Sequence, residues 1–331
     1  MSSDSTQIVV YGATGVLGRE ILVALEGETI EELATLQVTG VRSAGEEVPW
    51  PGAALQVQSP DSIDVDKVDI AILATPPEVS LALAPTLRDR GALVFDCSGA
   101  AHEDVTTLGP GTDRAVLEDL ESLVAIANPA ASALAPLVRA AQKATPLSAV
   151  TATVLVGASM SGREGQEALS SQTVSLLNHR IPDPGPFAGV LAFNLLPDGP
   201  GATAEADPWA SAARRHLKAL VPELANTPVH IQVVQAPVFS GLAASVTLAT
   251  GDPNLQLKAV LDEVDQAEGL LRSTERAAAL RDAMELDGSL VGSVRRDEDG
   301  ALTCWIVSDA LMRTANLVGE VVGTVVRDEL W

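Results

Sequence analysis

Cysteine, histidine and lysine are all scarce in this chain. Its 331 residues include two cysteines, Cys97 and Cys304, together with four histidines and four lysines. Two isolated cysteines form neither a disulfide framework nor a zinc-ligand spacing, and the scattered histidines add no further ligand pattern. We therefore expect no metal site, and the thiols favour a reducing, cytoplasmic location.

Long hydrophobic runs are missing as well, and acidic residues far outnumber basic ones. Without an apolar stretch of about eighteen residues, or a basic segment near the start, we expect neither a membrane span nor a secretory signal. The formal net charge of −23 repels phosphate backbones, which argues against a nucleic-acid partner.

What is present is the composition of a globular protein. Apolar residues make up 47% of the chain and charged residues 20%, which is typical of folded rather than disordered sequences. The length suits two domains of about 150 residues each.

The first distinctive motif is a glycine-rich turn near the start of the sequence. An apolar run over residues 7–11 leads into Gly12-Ala-Thr-Gly-Val-Leu-Gly18, and helically spaced apolar residues follow at once. Strand, tight turn and helix in this order are typical of a dinucleotide site, in which glycines let the backbone approach a pyrophosphate at the helix start. The turn contributes Gly12, Thr14, Gly15, Val16 and Leu17 as candidate cofactor-binding residues. The alternative is a tight turn without a ligand.

A second motif bears on which dinucleotide is bound. The next predicted strand, residues 36–39, ends just before Arg42 and Ser43. Dinucleotide folds that prefer NAD place an acid here to hold the ribose hydroxyl, whereas an arginine suits the 2′-phosphate of NADP. Arg42 and Ser43 therefore favour NADP, and the alternative is a solvated loop arginine.

Strands and helices alternate through the first part of the chain. Apolar runs of the kind buried in parallel sheets recur, with helical spacing between them, at residues 69–74, 92–96 and 123–126. This order predicts right-handed βαβ units in an α/β fold with a doubly wound, mostly parallel dinucleotide-binding sheet. We assign residues 1–128 to this domain and expect a C-terminal helix, residues 310–328, to complete it.

The pattern changes after Pro129 and predicts a second α+β domain over residues 129–309. We expect a helix at 132–143 capped by Ser132, and another running to Val264 from a cap at Asp252-Pro253. Alternating segments predict strands of a mixed or antiparallel sheet at residues 150–156, 231–234, 245–248 and 303–307.

The chain resembles the aspartate-semialdehyde dehydrogenase family over nearly its full length. The resemblance rests on ordered motifs: Gly12-Ala-Thr-Gly-Val-Leu-Gly18, Arg42-Ser-Ala-Gly45, Asp96-Cys-Ser-Gly-Ala100, Ala127-Asn-Pro129, Ser161-Gly-Arg-Glu-Gly165, Phe193-Asn-Leu-Leu-Pro197, Ala236-Pro-Val-Phe239 and Ser308-Asp309. It implies a cytoplasmic homodimer of two-domain subunits, dimerising through the second domain, that uses NADP in amino-acid biosynthesis. It further implies reduction of aspartyl phosphate through a thioester on cysteine. Thr75, Ser98 and Asn128 also fall at ligand positions of the family, Asn128 as a candidate anion ligand.

The residues that this chemistry needs are replaced. A thioester requires a thiolate and a base that activates it. Ala131 stands at the family's cysteine position, and Leu242 at that of its catalytic histidine. Gln235 replaces the substrate-binding arginine, which removes a bidentate fork for a carboxylate. This pattern is similar to the Usg-type paralogues, which lack the catalytic cysteine.

Two further positions depart from the family. His102 replaces its phosphate-binding arginine, although a protonated imidazole can still hold an anion, and the region of Val156 lacks its glutamine. Cys97 and Cys304 fit small buried hydrophobes better than nucleophiles. His179, His216 and His230 are expected to be structural.

Three functions remain open from the sequence. The leading one is a family member that keeps the fold but lacks the dehydrogenase reaction. Its NADP site is either kept or vestigial, because Pro76 and Pro77 lack the N–H groups that the family offers after the third strand. The second is an active oxidoreductase on another small aldehyde, with His102 and Ser98 as the available proton donors, although the sequence shows no acid–base pair. The third is a non-catalytic binding or assembly module.

Overall fold

The computed structural model describes residues 6–28, 30, 34–102, 105–273, 278–284 and 286–331. The strands, numbered in chain order, are β1 (Thr6–Tyr11), β2 (Ala34–Thr39), β3 (Glu47–Val48), β4 (Leu55–Gln58), β5 (Ile70–Leu73), β6 (Leu93–Asp96), β7 (Thr106–Leu108), β8 (Leu123–Ile126), β9 (Ala149–Val156), β10 (Leu196–Pro197), β11 (Val229–Gln235), β12 (Leu242–Ala249), β13 (Leu270–Arg272), β14 (Ser289–Arg296) and β15 (Leu302–Ser308). The α-helices are α1 (Val16–Gly27), α2 (Pro77–Asp89), α3 (Arg114–Leu117), α4 (Pro129–Ala144), α5 (Gly162–Leu177), α6 (Pro208–Leu220), α7 (Leu257–Gln266) and α8 (Ala310–Asp328). Two compact units result, Met1–Ala127 with Thr314–Trp331, and Asn128–Arg313.

The first unit is built on a mostly parallel sheet with the strand order β3-β4-β2-β1-β5-β6-β8-β7. All its pairings are parallel except that of β3 with β4. Every residue of β5, β6 and β8 is buried, because parallel strands are covered on both faces by their crossover helices.

The side chains of β1 alternate between two apolar layers. Ile8 and Val10 pack in a cluster that includes residues of α1 and α8, whereas Val9 and Tyr11 pack with residues of α2. Helices on both faces of a parallel sheet define a doubly wound α/β fold, so the predicted fold class is confirmed for this part of the chain.

The second unit contains a mixed sheet with the order β10-β11-β9-β12-β15-β14-β13. The pairings of β9 with β11 and of β13 with β14 are parallel, and the others are antiparallel. Along β9 the even-numbered residues from Val150 to Val156 are buried, whereas Thr151 is exposed. One face of this sheet is therefore covered, as the alternation in the sequence predicts.

Two predicted helix starts are wrong. The cap of α4 is Asn128, whose Oδ1 accepts a hydrogen bond from the amide of Ala130 at 2.9 Å, so Ser132 lies inside the first turn. The Oδ1 atom of Asp252 instead accepts the amide of Asn254 at 2.8 Å, and α7 begins only at Leu257. The error at Asp252 arises because side chains that cap helices also close short turns.

A buried glutamine organises the long segment between α5 and β10. Gln172 is 1% exposed. Its Nε2 donates to the carbonyl oxygens of Asp183 and Pro184, and its Oε1 accepts the amides of Leu191 and Ala192, all within 3.1 Å. One side chain therefore satisfies four backbone groups of a segment that has few backbone partners of its own.

Candidate functional site

The glycine-rich turn has the geometry of a dinucleotide-binding turn. Gly12 adopts a φ of +80°, and a Cβ there would lie 2.3 Å from the carbonyl oxygen of Ala74. A Cβ on Gly18 would lie 2.3 Å from the carbonyl oxygen of Gly12, so α1 packs on the turn through a bare backbone. Gly15 caps α1 without any side-chain hydrogen bond. The first amides of α1 thus meet no capping side chain, which is the arrangement that suits a pyrophosphate.

Two predicted cofactor residues are bonded to each other beside this turn. The hydroxyls of Thr14 and Ser43 lie 2.7 Å apart and both residues are buried. Gly40 leaves room for this pair, since a Cβ there would lie 2.3 Å from the Ser43 Oγ. Arg42 lies next to Ser43 and is exposed. The ends of β1 and β2 are therefore tied together, with a solvent-facing cation beside them.

The remaining predicted residues of this edge also lie close to the turn. Val16 opens α1, and Leu17 packs against the apolar cluster below it. The Thr75 hydroxyl bonds to Ser80 at 2.8 Å, and its methyl carbon lies 3.3 Å from the point where a Cβ of Gly12 would be. Thr75 is thus a neighbour of the turn.

Asp96, at the end of β6, is the centre of a buried polar cluster. Its Oδ1 accepts the amide of Ser98 at 2.9 Å, and its Oδ2 accepts the Ser98 hydroxyl at 3.0 Å. The Nε2 of His102 donates to the same Oδ2 at 2.6 Å, and the two side chains are 1% and 8% exposed. Burial opposes ionisation of this carboxyl, but the hydrogen bonds from His102 and Ser98 outweigh it and hold the pKa of Asp96 below its ordinary value.

This cluster corrects the expectation that the chain has no acid–base pair, since Asp96 and His102 form one. It also changes the role expected for His102. The Nε2 atom of His102 is already bonded to the carboxylate of Asp96, so this nitrogen is not available to bind an anion. Ser98, predicted as a cofactor residue, donates its hydroxyl to Asp96 and accepts the amide of Ala100 at 3.1 Å.

Neither cysteine has the environment of a nucleophile. Burial, reinforced by the nearby charge of Asp96, raises the pKa of the Cys97 thiol well above its ordinary value. Burial alone raises the pKa of the Cys304 thiol to about 12. A nucleophilic cysteine needs the opposite shift, because the thiolate is the reactive form.

In the second unit, the strand positions that differ from the family, Gln235, Val156 and Leu242, lie in one transverse row of the sheet. The strand registers pair Gln235 with Val156, Val156 with Leu242 and Leu242 with Ser308. Ser308 in turn pairs with Ser289. All five residues are buried. Neighbouring strands lie about 4.8 Å apart, so the predicted sites of base and substrate arginine are close together and hold no titratable side chain.

Ala131 lies in the first turn of α4 and is fully buried. This helix packs against β12 and β15, two of the strands that carry the row. Asn128 precedes it, and the backbone amide of Asn128 donates to the Nδ1 of the buried His216 at 2.8 Å. The side chain of Asn128, which was predicted as an anion ligand, caps α4 with its Oδ1 atom. His216 has a structural partner in the backbone of Asn128.

The described residues contain no group of three or more histidine, cysteine, aspartate or glutamate side chains placed to hold a metal ion. None of the helices described is both long and apolar enough to cross a membrane.

Comparison with known proteins assigns both halves of the chain. Residues 7–120 match the model of the semialdehyde dehydrogenase NAD binding domain, and residues 134–313 match that of the semialdehyde dehydrogenase dimerisation domain. A USG-1 protein homologue from Pseudomonas aeruginosa is 32% identical, with 97% of each chain covered. Aspartate-semialdehyde dehydrogenase 2 from Vibrio cholerae is 26% identical, with 95% of each chain covered.

Solved structures agree with this assignment. The structure of a probable aspartate-semialdehyde dehydrogenase from Pseudomonas aeruginosa superposes with a TM-score of 0.88 at 27% identity, covering 99% of this chain and 100% of that one. The fold, the motifs and both domain models therefore lead to one conclusion. The chain belongs to the aspartate-semialdehyde dehydrogenase family and has USG-1 homologues among its relatives.

Proposed function

We propose that this chain binds NADP in its first unit but does not carry out the thioester-forming dehydrogenase reaction. The observation that carries the proposal is the fully buried methyl group of Ala131 at the position of the family's nucleophile. Leu242 and Gln235 support it, because the neighbouring strand positions offer neither a base nor a cation. An alkyl side chain can neither attack a carbonyl group nor accept a proton.

The loss of chemistry is tested with the family's own reactants. The purified chain is incubated with aspartate semialdehyde, phosphate and NADP, and NADPH absorbance and intact protein mass are followed. We expect no NADPH and no acyl adduct. A turnover of about 1 per second or faster, as in ordinary enzymes, would refute the proposal.

NADP binding is supported by the bare glycine turn and by the exposed Arg42 beside it. A ligand that binds only the folded state raises its melting temperature, so NADPH should stabilise the chain more than NADH does. Arg42→Ala should weaken NADPH binding by about 10-fold or more, as expected for a charge-assisted hydrogen bond, and leave NADH binding unchanged.

A matched control for this variant is Arg88→Ala. Arg88 lies in the last turn of α2, and a crossover helix ends at the amino edge of a parallel sheet, away from the dinucleotide turn. Equal loss of NADPH binding in both variants, or none in either, would show that Arg42 does not select the cofactor.

We also propose that the chain is a homodimer that uses its second unit. Support comes from the match to a dimerisation domain and from large apolar side chains exposed in that unit. The exposed side chains that we propose are covered in the dimer, called the apolar patch, are Val174, Leu177, Ile181, Phe193, Leu195 and Phe239. Sedimentation should give a dimer, and Ile181→Glu should weaken it if the patch is covered. A stable monomer would contradict the proposal.

A second candidate function has one specific observation in its favour. Direct exchange of a hydride between NADP and a small aldehyde needs no covalent intermediate, and therefore no residue at position 131. It does need a proton donor, and the bonded pair of Asp96 and His102 supplies one.

A further inference from the structure

The pair formed by Asp96 and His102 has the construction of a proton-transfer device. Its Oδ2–Nε2 distance is 2.6 Å, and the side chains are 1% and 8% exposed. Hydrogen bonds from Ser98 fix the carboxylate on both oxygens. A carboxylate held in this way keeps one proton on the Nε2 atom of the ring, so the other ring nitrogen, Nδ1, is the atom that gains and loses a proton.

The sheet register places this pair at the same edge as the dinucleotide turn. Thr39, Tyr11, Leu73 and Asp96 follow one another across β2, β1, β5 and β6. Asp96 therefore lies two strands from the residue before the glycine turn, a lateral distance of about 10 Å. Ligands of doubly wound sheets bind at this carboxyl edge.

We propose that His102 is the proton donor and acceptor for hydride exchange between a bound nicotinamide and the carbonyl group of a small aldehyde. Asp96 is its positioning residue. This inference rests on the dinucleotide binding proposed above and adds a reaction to it.

The reaction balances without a covalent intermediate. In the reducing direction the carbonyl carbon accepts a hydride from the reduced nicotinamide, and the electron pair of the broken C=O π bond moves onto oxygen. That oxygen takes the Nδ1 proton of the His102 imidazolium, which becomes neutral and later regains a proton from water. The aldehyde is reduced to an alcohol and the nicotinamide is oxidised.

Among the described residues, Asp96 is the titratable group bonded to His102. The charge of Asp96 in turn acts on the neighbouring thiol of Cys97. Glu103 and Asp104 follow His102 in the sequence and lie outside the described residues. All protein groups are the same in the complexes with NADP⁺ and with NADPH. A comparison between two cofactor states therefore isolates the effect of the nicotinamide.

The test follows the four imidazole rings by NMR as the pH changes, in complexes with NADP⁺ and with NADPH. The His102→Gln variant identifies its signal. If His102 faces the nicotinamide, the positive ring of NADP⁺ should shift the midpoint of the His102 titration to lower pH by about half a pH unit or more relative to NADPH. His230, exposed on β11, should titrate identically in both complexes and serves as the internal control.

Asp96→Asn should retain cofactor binding but reduce the difference between the two complexes, because the ring is no longer held in place. If this variant does not fold, Ser98→Ala loosens Asp96 more gently and should act in the same direction. Cofactor binding with identical midpoints for His102 would overturn this inference alone. A melting temperature that neither cofactor changes would overturn the dinucleotide proposal and this one together.

Turnover provides a second readout. With glyceraldehyde as the probe, the unmodified chain should oxidise NADPH at least about 100-fold faster than His102→Gln, the ordinary contribution of a general acid. Equal rates in the two proteins, including no reaction in either, would overturn the assignment of this proton to His102.

Discussion

Gly18 packs on Gly12 so closely that a Cβ on residue 18 would lie 2.3 Å from the carbonyl oxygen of Gly12 and 2.8 Å from the Cα of Ala13. The contact joins the first turn of α1 to the end of β1. It therefore links the stability of the first unit to the shape of its dinucleotide turn.

Gly18→Ala should consequently reduce both stability and cofactor binding. The added methyl group meets backbone atoms that cannot move aside, and overpacking of this kind costs about 1–3 kcal/mol. Chemical denaturation and the thermal shift with NADPH would measure the two effects. Gly27→Ala, in the last turn of the same helix with no atom within 4 Å of the new Cβ, should be neutral or slightly stabilising. Similar losses in both variants would contradict the argument.

Both native thiols should react slowly. The pKa of Cys97 is raised well above its usual value and that of Cys304 is raised to about 12, by burial in each case. At pH 8 we expect a thiol reagent such as dithionitrobenzoate to modify neither within the time in which it modifies the unfolded chain, where it should count two thiols. A rapid reaction that disappears in Cys97→Ser would reveal an activated cysteine and contradict the structure.

Restoring the family's cysteine alone should not restore a nucleophile. Ala131→Cys adds a sulfur atom to a fully buried position, and the neighbouring row provides no base that would draw off its proton. We expect loss of about 1–3 kcal/mol in stability from overpacking and slow alkylation by iodoacetamide at pH 7. The variant Ala131→Ser separates size from thiol chemistry. A fast, stoichiometric alkylation of Ala131→Cys would show that a hidden base is present.

The acid stability of the first unit should depend on Asp96. Its pKa is lowered in the folded chain, so its contribution is complete above the unfolded value of about 3.9 and is lost as the pH falls through the folded value. Asp96→Asn should therefore cost about 1.5–3 kcal/mol at pH 7, and this difference should shrink below about pH 4. Denaturant unfolding at several pH values measures it. Asp61→Asn, at an exposed position, should show no such dependence, and a cost for Asp96→Asn that is independent of pH would argue against the charged pair.

Gln172 should prove essential to the segment between α5 and β10. Gln172→Leu removes four hydrogen bonds to backbone groups, and buried groups left without partners cost about 1–3 kcal/mol each. We expect early proteolytic cleavage within residues 183–192 and a clear fall in the unfolding midpoint. Gln166→Leu, on the same helix with one long, exposed hydrogen bond, is the control. Equal behaviour of the two variants would mean that the segment is held by its apolar contacts alone.

Much of the first unit could be predicted because its signals are local. Continuous apolar runs give β5, β6 and β8, and the glycine spacing gives the turn and α1. The strands β13 and β14 escaped prediction for different reasons. β13 has only three residues, and β14 has no regular alternation because its register shifts between Gly292 and Arg295. The start of α4 was misplaced although Pro129 is a helix-opening signal, since Ser132 is an equally common capping residue.

The pair of Asp96 and His102 is the part of the candidate site that the sequence concealed. The two residues are six positions apart in the sequence, a spacing that predicts no side-chain contact within a helix or a strand. They meet because the chain bends between them, with Gly99 at a φ of +75°, and because Ser98 turns back onto the carboxylate. Comparison with the family's motifs shows only that His102 replaces an arginine. The folded backbone shows that this histidine is bonded to Asp96.

The transverse row through Gln235, Val156, Leu242 and Ser308 also has an evolutionary consequence. Each side chain in this row is buried against its neighbours in the adjoining strands, so a histidine or arginine introduced at one position would meet an apolar or neutral surrounding and lower stability. Introducing a base and a cation into this row therefore requires several substitutions at once, each unfavourable by itself. Such mutual dependence makes the composition of this row resistant to change by single substitutions.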